Sequence, residues 1–231
     1  YLMEAYKNTR GYCTNYTIDG SVLLVNTDML KELGVEVNGY ADLLQPELVG
    51  KIASADPASS SSAFCQLTNM LLVMGDEPYD EKAWEFVGQF VEQLDGSILS
   101  SSSQIYKATA DGEYAVGVSY EDPCVGLLED GATNLKVVYP EEGPVWLPAG
   151  VAIVKGCKNE ENAKKFVDFL ISQEGQECYA DTSIRPVLTS VENTSPNMPP
   201  FSEINVAYED IEYCAEMQSQ WQERWLELVT G

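Results

Sequence analysis

Strand-like and helix-like patterns alternate along most of this chain of 231 residues, and this alternation constrains the fold more than any other feature. Short apolar runs are bounded by glycine, proline or serine, and several are followed by apolar residues at helical spacing. The pattern predicts strands at 50–54, 97–99, 114–119, 135–139 and 150–155. An α/β protein is therefore expected, with helices packed on a sheet.

Amphipathic spacing predicts the helices and the face that each of them buries. Two helices are expected to be capped by Asp80 and by Asn159. The residues predicted to point inward are Trp84, Val87, Phe90, Val91 and Leu94 in the first helix, and Ala163, Phe166, Val167 and Leu170 in the second. A long C-terminal helix repeats the pattern, and we interpret its stripe as core rather than as a partner-binding face: Ile211, Cys214, Trp221, Trp225 and Leu228.

The net charge excludes two classes of partner. The chain has 13 Lys and Arg residues against 37 Asp and Glu residues, which gives a formal charge of −24. Nucleic acids and anionic lipid surfaces are recognised by cationic faces, so neither is expected as a partner. No apolar run reaches the ~20 residues that span a bilayer, so membrane insertion by this chain is not expected either.

The chain contains no histidine, which removes Ser-His-Asp catalysis, Cys-His catalysis and His-ligated zinc. Its six cysteines include no Cys-x-x-Cys pair, so no zinc-ribbon or thioredoxin-type site is predicted. The even number of cysteines fits disulfides in an exported protein and fits buried free thiols equally well. Both interpretations stay open at this point.

Two serine tetrads, Ser59–Ser62 and Ser100–Ser103, each follow a predicted strand and precede a predicted helix. In an open α/β sheet, this places them at the carboxyl ends of strands, where ligand crevices form. A helix N-terminus presents unpaired N–H groups and attracts anions. The alternative is ordinary helix capping or a polar loop. The serines nearest the helices are the best candidates for an anion site: Ser61, Ser62, Ser102 and Ser103.

Acidic residues follow two other predicted strands. Asp122 comes after the strand at 114–119, and Glu142 comes after the strand at 135–139. Carboxylates at these ends can accept hydrogen bonds from sugar hydroxyls, pair with an amine or hold a hard cation. The alternatives are structural, since Asp122 before Pro123 is typical of a helix N-cap and Glu142 before Gly143 is typical of a turn.

Taken in order, the motifs of this chain resemble those of the ferric-iron-type branch of the periplasmic solute-binding proteins that serve ABC importers. The resemblance covers nearly the whole chain. It rests on the following segments: Val25-Asn26-Thr27-Asp28, Asp42-Leu43-Leu44-x-Pro46-Glu47, Gly50-Lys51-Ile52-Ala53, Asp56-Pro57 with the serines after it, Gly112-Glu113-Tyr114-Ala115-Val116-Gly117, Tyr139-Pro140-Glu141-Glu142-Gly143, Ala163–Leu170, Ser172-x-Glu174-Gly175-Gln176 and Arg185-Pro186-Val187.

The resemblance implies an α/β fold of the type II-like periplasmic-binding-protein class, with two lobes that close on a ligand by a hinge motion. Residues 28–151 with 194–231 are expected to form the second lobe, and residues 1–27 and 152–193 the hinge and part of the first lobe. The N-terminal part that builds most of the first lobe in the family is expected to lie outside this chain. One complete lobe and one partial lobe are therefore predicted.

The resemblance also implies a ligand class. Iron-binding members carry two adjacent tyrosines at the positions that Asp122 and Pro123 hold here, so ferric binding of the family type is not expected. A sister group with the same Tyr-Glu-Asp-Pro signature binds phosphorylated sugars. By this resemblance the anion would be held by Ser61, Ser62, Ala63, Ser102 and Ser103, and the hydroxyls by Tyr120, Asp122 and Glu142.

The chain is accordingly expected to be a monomeric, extracytoplasmic binding protein without a cofactor or a resident metal. It would be periplasmic or lipid-anchored and would deliver a small anionic solute to an ABC importer permease. Three alternatives remain: a metal or amine site formed by the carboxylates at 121–122 and 141–142, a carboxylate-pair hydrolase, and a fragment that binds no ligand.

Overall fold

The computed structural model describes residues 2–8 and 11–231, which divide into two compact units. Unit 1 consists of Tyr1–Gly20 and Trp146–Glu203, and unit 2 of Ser21–Val145 and Ile204–Gly231. These boundaries differ from the predicted lobe boundaries, because residues 21–26 pair with strands of unit 2 and residues 146–151 pair with a strand of unit 1. The assignment of the two units to lobes stays a prediction.

The described residues form the following elements in chain order. The strands are β1 (Thr14–Asn26), β2 (Ile52–Ala55), β3 (Ile98–Leu99), β4 (Val116–Tyr120), β5 (Leu135–Val138), β6 (Trp146–Val151) and β7 (Arg185–Pro186). The α-helices are α1 (Thr27–Leu33), α2 (Ser61–Val73), α3 (Glu81–Leu94), α4 (Ser102–Ala110), α5 (Glu121–Glu129), α6 (Glu160–Leu170), α7 (Gln173–Glu177) and α8 (Ile211–Thr230). Short 3₁₀ helices lie at Glu4–Tyr6, Ala41–Leu44, Pro46–Leu48 and Phe201–Glu203.

The sheet of unit 2 has the strand order β3-β2-β4-β1-β5. Strand β2 is parallel to both β3 and β4, while β1 is antiparallel to β4 and to β5. The helices that connect β2, β3 and β4 make this the mixed α/β architecture that the alternation predicts.

The main core of unit 2 lies between one face of this sheet and the helices α2, α3 and α8. It includes Val116 and Val118 of β4 together with buried aromatic residues of α3 and α8. The predicted stripe of α8 is buried at Cys214, Trp221 and Trp225. It is wrong at its two ends, where Ile211 is 47 % exposed and Leu228 is 37 % exposed.

On the opposite face of the sheet, α4 packs closely against β4. A Cβ atom added at Gly117 would lie 2.5 Å from Thr109 Oγ1 and 2.9 Å from Ile105 Cγ2. The absence of a side chain at this position is therefore what allows the helix to approach the strand. Ala53, Ala55, Ala63 and Ile105 form a small buried cluster on this face.

In unit 1, the first half of β1 pairs antiparallel with β6 and with β7. The predicted strand at 150–155 is shifted, since β6 ends at Val151. Helix α6 forms as predicted, but it buries none of its residues. The expectation of an inward face is wrong at Phe166, which is 58 % exposed, while Ala163, Val167 and Leu170 are half-buried.

None of the six cysteines, all of which lie in the described residues, forms a disulfide in this structure, so the thiol alternative is the one it contains. Cys124 and Cys214 are buried, and burial raises the pKa of the Cys214 thiol to about 11. Within residues 2–8 and 11–231, no helix combines the length and the hydropathy needed to cross a membrane.

Candidate functional site

Three helix N-termini gather at one edge of the sheet of unit 2. Ala55 at the end of β2 pairs with Leu99 at the end of β3, and β4 runs parallel to β2 on its other side. The three strands therefore end at the same edge. They are followed, respectively, by α2, α4 and α5, whose first turns present N–H groups there.

The first turn of α2 contains three of the predicted site residues. Ser60 is the N-cap, and its hydroxyl accepts a hydrogen bond from Ala63 N at 3.3 Å. Its Oγ also lies 3.1 Å from Ser62 Oγ. Ser61 is exposed and Ser62 is half-buried, so both remain accessible from the edge of the sheet. Because Ser60 supplies the cap, the capping alternative does not apply to Ser61.

The first turn of α4 repeats this arrangement. Ser101 is the N-cap, and its hydroxyl lies 3.2 Å from Ser103 Oγ without making a cap hydrogen bond. The preceding residue, Ser100, donates from its N–H group at 3.1 Å and from its hydroxyl at 3.0 Å to Gln104 Oε1. Ser102 and Ser103 are half-buried. Both tetrads therefore lie at a strand-to-helix junction as predicted, although the last two serines of each belong to the helix.

The first turn of α5 places Tyr120 and Asp122 at the same edge. Tyr120 is the last residue of β4 and also the N-cap of α5, which begins at Glu121. The alternative in which Asp122 is the N-cap is therefore wrong, since Pro123 lies two residues inside the helix. Asp122 is half-buried in the first turn.

Glu121 and Glu142 both accept hydrogen bonds from the protein itself. The Glu121 carboxylate is buried and accepts from the Tyr139 hydroxyl at 2.6 Å. The Glu142 carboxylate accepts from Tyr40 N at 3.0 Å and from Ala41 N at 2.8 Å. Glu142 therefore holds the 3₁₀ helix at 41–44, and its predicted contact with a ligand hydroxyl stays a prediction.

A buried polar network that the sequence did not reveal lies behind this edge. Asn69 of α2 donates to Gly143 O at 2.9 Å and accepts from Val145 N at 2.9 Å. The Tyr40 hydroxyl lies 2.9 Å from Asn69 Oδ1 and 3.1 Å from Gln66 Oε1. The one available signal was that two amide side chains, at positions 66 and 69, interrupt an otherwise apolar helix face.

The electrostatics of this network keep its central hydroxyl neutral. Burial, reinforced by the negative charge of Glu142, raises the pKa of the Tyr40 phenol well above its usual range. Tyr40 thus stays a hydrogen-bond donor at every physiological pH.

Within the described residues, no group of three or more cysteine, aspartate and glutamate side chains is placed to hold a metal. The serine-rich first turns of α2 and α4, in contrast, offer N–H and hydroxyl donors side by side. The structure thus brings together Ser61, Ser62, Ala63, Ser102, Ser103, Tyr120 and Asp122 at the ends of three adjacent strands. Glu142 is connected to α2 through Tyr40 and through the turn that Asn69 holds.

Comparison with protein families gives one match over most of the chain. The model described as "Bacterial extracellular solute-binding protein" matches residues 2–202. Among curated proteins, an uncharacterized protein of Haemophilus influenzae is 34 % identical over 158 residues, which are 66 % of this chain and 43 % of that protein. Iron uptake protein A1 of Synechocystis is 27 % identical over 200 residues, 81 % of this chain and 53 % of that protein. This chain thus spans about half the length of each.

Comparison with solved structures gives a close match in fold. The periplasmic binding protein AfuA from Actinobacillus pleuropneumoniae, solved with exogenous fructose-6-phosphate bound, superposes with a TM-score of 0.83 at 27 % identity. The match covers 99 % of this chain and 73 % of that one. The fold is therefore the α/β periplasmic-binding-protein fold.

Proposed function

Because this chain belongs to the family of bacterial extracellular solute-binding proteins, which bind solutes and are not enzymes, we propose that it binds a small phosphorylated solute for an ABC importer. A sugar phosphate is the ligand class that we infer. One observation carries this proposal: three adjacent helix N-termini, two of them rich in serine, meet at one edge of the sheet. Backbone N–H groups at such ends bind phosphate without requiring a cationic side chain.

The residue roles follow from this placement. The first turns of α2 and α4, with Ser61, Ser62, Ala63, Ser102 and Ser103, would hold the phosphate. Tyr120 and Asp122, in the first turn of α5, would accept or donate hydrogen bonds to sugar hydroxyls. In the same proposal, unit 2 is the complete second lobe and unit 1 is part of the first lobe of a type II-like binding protein.

The bound fructose-6-phosphate in the related structure supports this ligand class. The name of the Synechocystis relative points to iron instead. At the positions where iron-binding members carry paired tyrosines, this chain has Asp122 and Pro123, and it has no histidine. The donor chemistry at these positions is therefore not that of a phenolate iron site.

Isothermal titration of the purified protein tests the proposal. The titrants are glucose 6-phosphate, fructose 6-phosphate, inorganic phosphate, putrescine and a chelated form of Fe(III). We expect heat and saturation with a sugar phosphate and weaker binding of inorganic phosphate. Saturable binding of Fe(III) or putrescine, with none of a phosphorylated compound, would contradict it.

A charge variant locates the site. Ser61→Asp places a carboxylate in the exposed first turn of α2, so it should abolish sugar-phosphate binding by repulsion. Ser219→Asp makes the same charge change on the solvent-exposed face of α8 and should leave the affinity unchanged. Equal effects of the two variants would place the anion elsewhere.

A further inference from the structure

The side chain of Gln66 connects two parts of the proposed site, the first turn of α2 and the junction between β4 and α5. Gln66 lies on α2, one turn after Ser62 on the same side of the helix, and it is buried. Its Nε2 donates to the carbonyl oxygen of Ser119 in β4. This carbonyl belongs to the peptide that leads directly into Tyr120.

The other end of the same amide is also held. Gln66 Oε1 lies 3.1 Å from the Tyr40 hydroxyl, which is itself 2.9 Å from Asn69 Oδ1. Because Asn69 is bonded to the backbone at Gly143 and Val145, its amide orientation is determined. The single proton of the Tyr40 hydroxyl lies between the two amide oxygens, so the Gln66 amide belongs to a buried polar network that fixes its orientation.

The side chain of Ser119 gives the end of β4 no comparable support. The Ser119 hydroxyl is buried, and the structure gives it no hydrogen-bond partner. Gly117, two residues earlier on the same face, is packed against α4 without a side chain. The bond from Gln66 ties the last peptide of β4 to α2.

We propose that Gln66 is a positioning residue, which holds the first turn of α2 and the β4–α5 junction at the spacing that one ligand requires. It acts through the backbone at Ser119 and Tyr120 and does not itself touch the ligand, since it is buried. The expected effect on ligand affinity rests on the proposed function. The coupling between α2 and β4 does not, because it exists without any ligand. A site built on two elements loses affinity when their spacing relaxes.

The test compares two buried polar residues of the same helix. Gln66→Met keeps the side-chain volume and removes both amide atoms. Thr68→Val removes the hydroxyl that donates to Glu209 Oε2 at 2.8 Å, in contact with the segment before α8 rather than with β4. Hydrogen exchange of the ligand-free proteins, followed by mass spectrometry over residues 117–124, reports the coupling directly.

We expect faster exchange over residues 117–124 in Gln66→Met and unchanged exchange there in Thr68→Val. Titration with a sugar phosphate should show about tenfold weaker binding for Gln66→Met only, the factor that the loss of one buried hydrogen bond produces. Equal exchange in the two variants would overturn the proposal. If the unchanged protein binds no sugar phosphate, the proposed function fails, and the exchange experiment still decides the role of Gln66.

A conservative variant separates positioning from general packing. Gln66→Glu restores a donor to the Ser119 carbonyl only when its carboxyl group is protonated. The titratable groups that face this position are the Tyr40 hydroxyl and, next in the network, the Glu142 carboxylate, and neither supplies a positive charge. The affinity of the variant relative to the parent should therefore rise as the pH falls from about 8 to about 5. A ratio independent of pH would contradict a role for the hydrogen bond.

Discussion

Helices α3 and α6 share an amphipathic pattern but differ in how far their apolar faces are buried. Helix α3 buries Trp84, Phe86, Val87, Phe90 and Leu94 in the core of unit 2. Helix α6 carries apolar residues at the same spacing in unit 1 and buries none of them. The comparison teaches that an amphipathic pattern predicts where a helix forms, while the burial of its apolar face depends on other segments of the polypeptide.

Helix α8, at the C-terminal end of the chain, packs against α3. The Leu228 side chain of α8 comes within 3.7 Å of the position of a Cβ at Gly88. Arg224 lies over the Trp84 ring at 4.4 Å and forms a bidentate ion pair with Glu81. The Arg224 guanidinium of α8 thus contacts α3 twice, through a cation–π contact with Trp84 and an ion pair with Glu81.

The largest expected effect on stability comes from replacing one phenylalanine in each of these two helices. Phe90→Ala opens a cavity in the core and should lower the free energy of unfolding by about 3–5 kcal/mol. Phe166→Ala, at a side chain that is 58 % exposed, should change it by less than about 0.5 kcal/mol. Urea denaturation followed by tryptophan fluorescence measures both. A similar cost at both positions would mean that the apolar face of α6 is covered in solution.

A smaller difference is expected between the two helix caps. The Asp80 carboxylate accepts from Ala83 N at 2.9 Å, from Asp76 N at 3.0 Å and from Glu77 N at 3.1 Å. These bonds lower the pKa of Asp80, the bond from Ala83 most of all. Asn159 is at the N-cap of α6 but makes no cap hydrogen bond with its side chain.

Asp80→Ala should therefore lower Tm measurably, while Asn159→Ala should leave it nearly unchanged. Differential scanning calorimetry measures both, and Asp80→Asn, which keeps the capping oxygen, serves as the control. A drop in Tm for Asn159→Ala equal to that for Asp80→Ala would show that α6 is capped in solution in a way that the structure lacks.

The smallest expected effect concerns pH and the segment that leads into α8. Burial raises the pKa of Glu209 above its ordinary value of 4.5, although the Thr68 hydroxyl donates to it. The folded state thus prefers the protonated carboxyl group. The stability that this preference contributes is present below the ordinary pKa and is lost as the pH rises through the folded-state pKa.

Glu209→Gln removes this titration and should gain stability relative to the parent as the pH rises from about 4 to about 7. Urea unfolding at both pH values measures the difference. A gap between the two proteins that stays constant with pH would show that Glu209 is solvated in the folded protein.

The sequence predicted much of unit 2 because its signals are local. The strands β2 to β5, the helices α2 to α4 and both serine-rich junctions follow from apolar spacing and from capping residues within a few positions. Strand β1 was missed. Its residues from Ser21 onward are almost all buried, while the segment from Thr14 to Gly20 mixes polar and apolar residues, so no single strand pattern spans it.

The site was predicted in part, for the same reason. The placement of Ser61 and Ser102 depends only on the strand before and the helix after each tetrad. The partners of Glu142 are the N–H groups of Tyr40 and Ala41, which precede it by 102 and 101 residues. No local pattern reveals such a pairing, and the same holds for the bond between Gln66 and Ser119.

By itself, the amino-acid sequence determined the α/β class, the positions of the strand-to-helix junctions and the lack of histidine chemistry, since each depends on residue type and short-range spacing. Only the tertiary structure decided that three of those junctions meet at one edge, that Gln66 joins two of them and that α3 buries its apolar face while α6 buries no residue. Parallel pairing of β3, β2 and β4 is the physical reason for the first, because it brings strand ends together that are far apart in the chain.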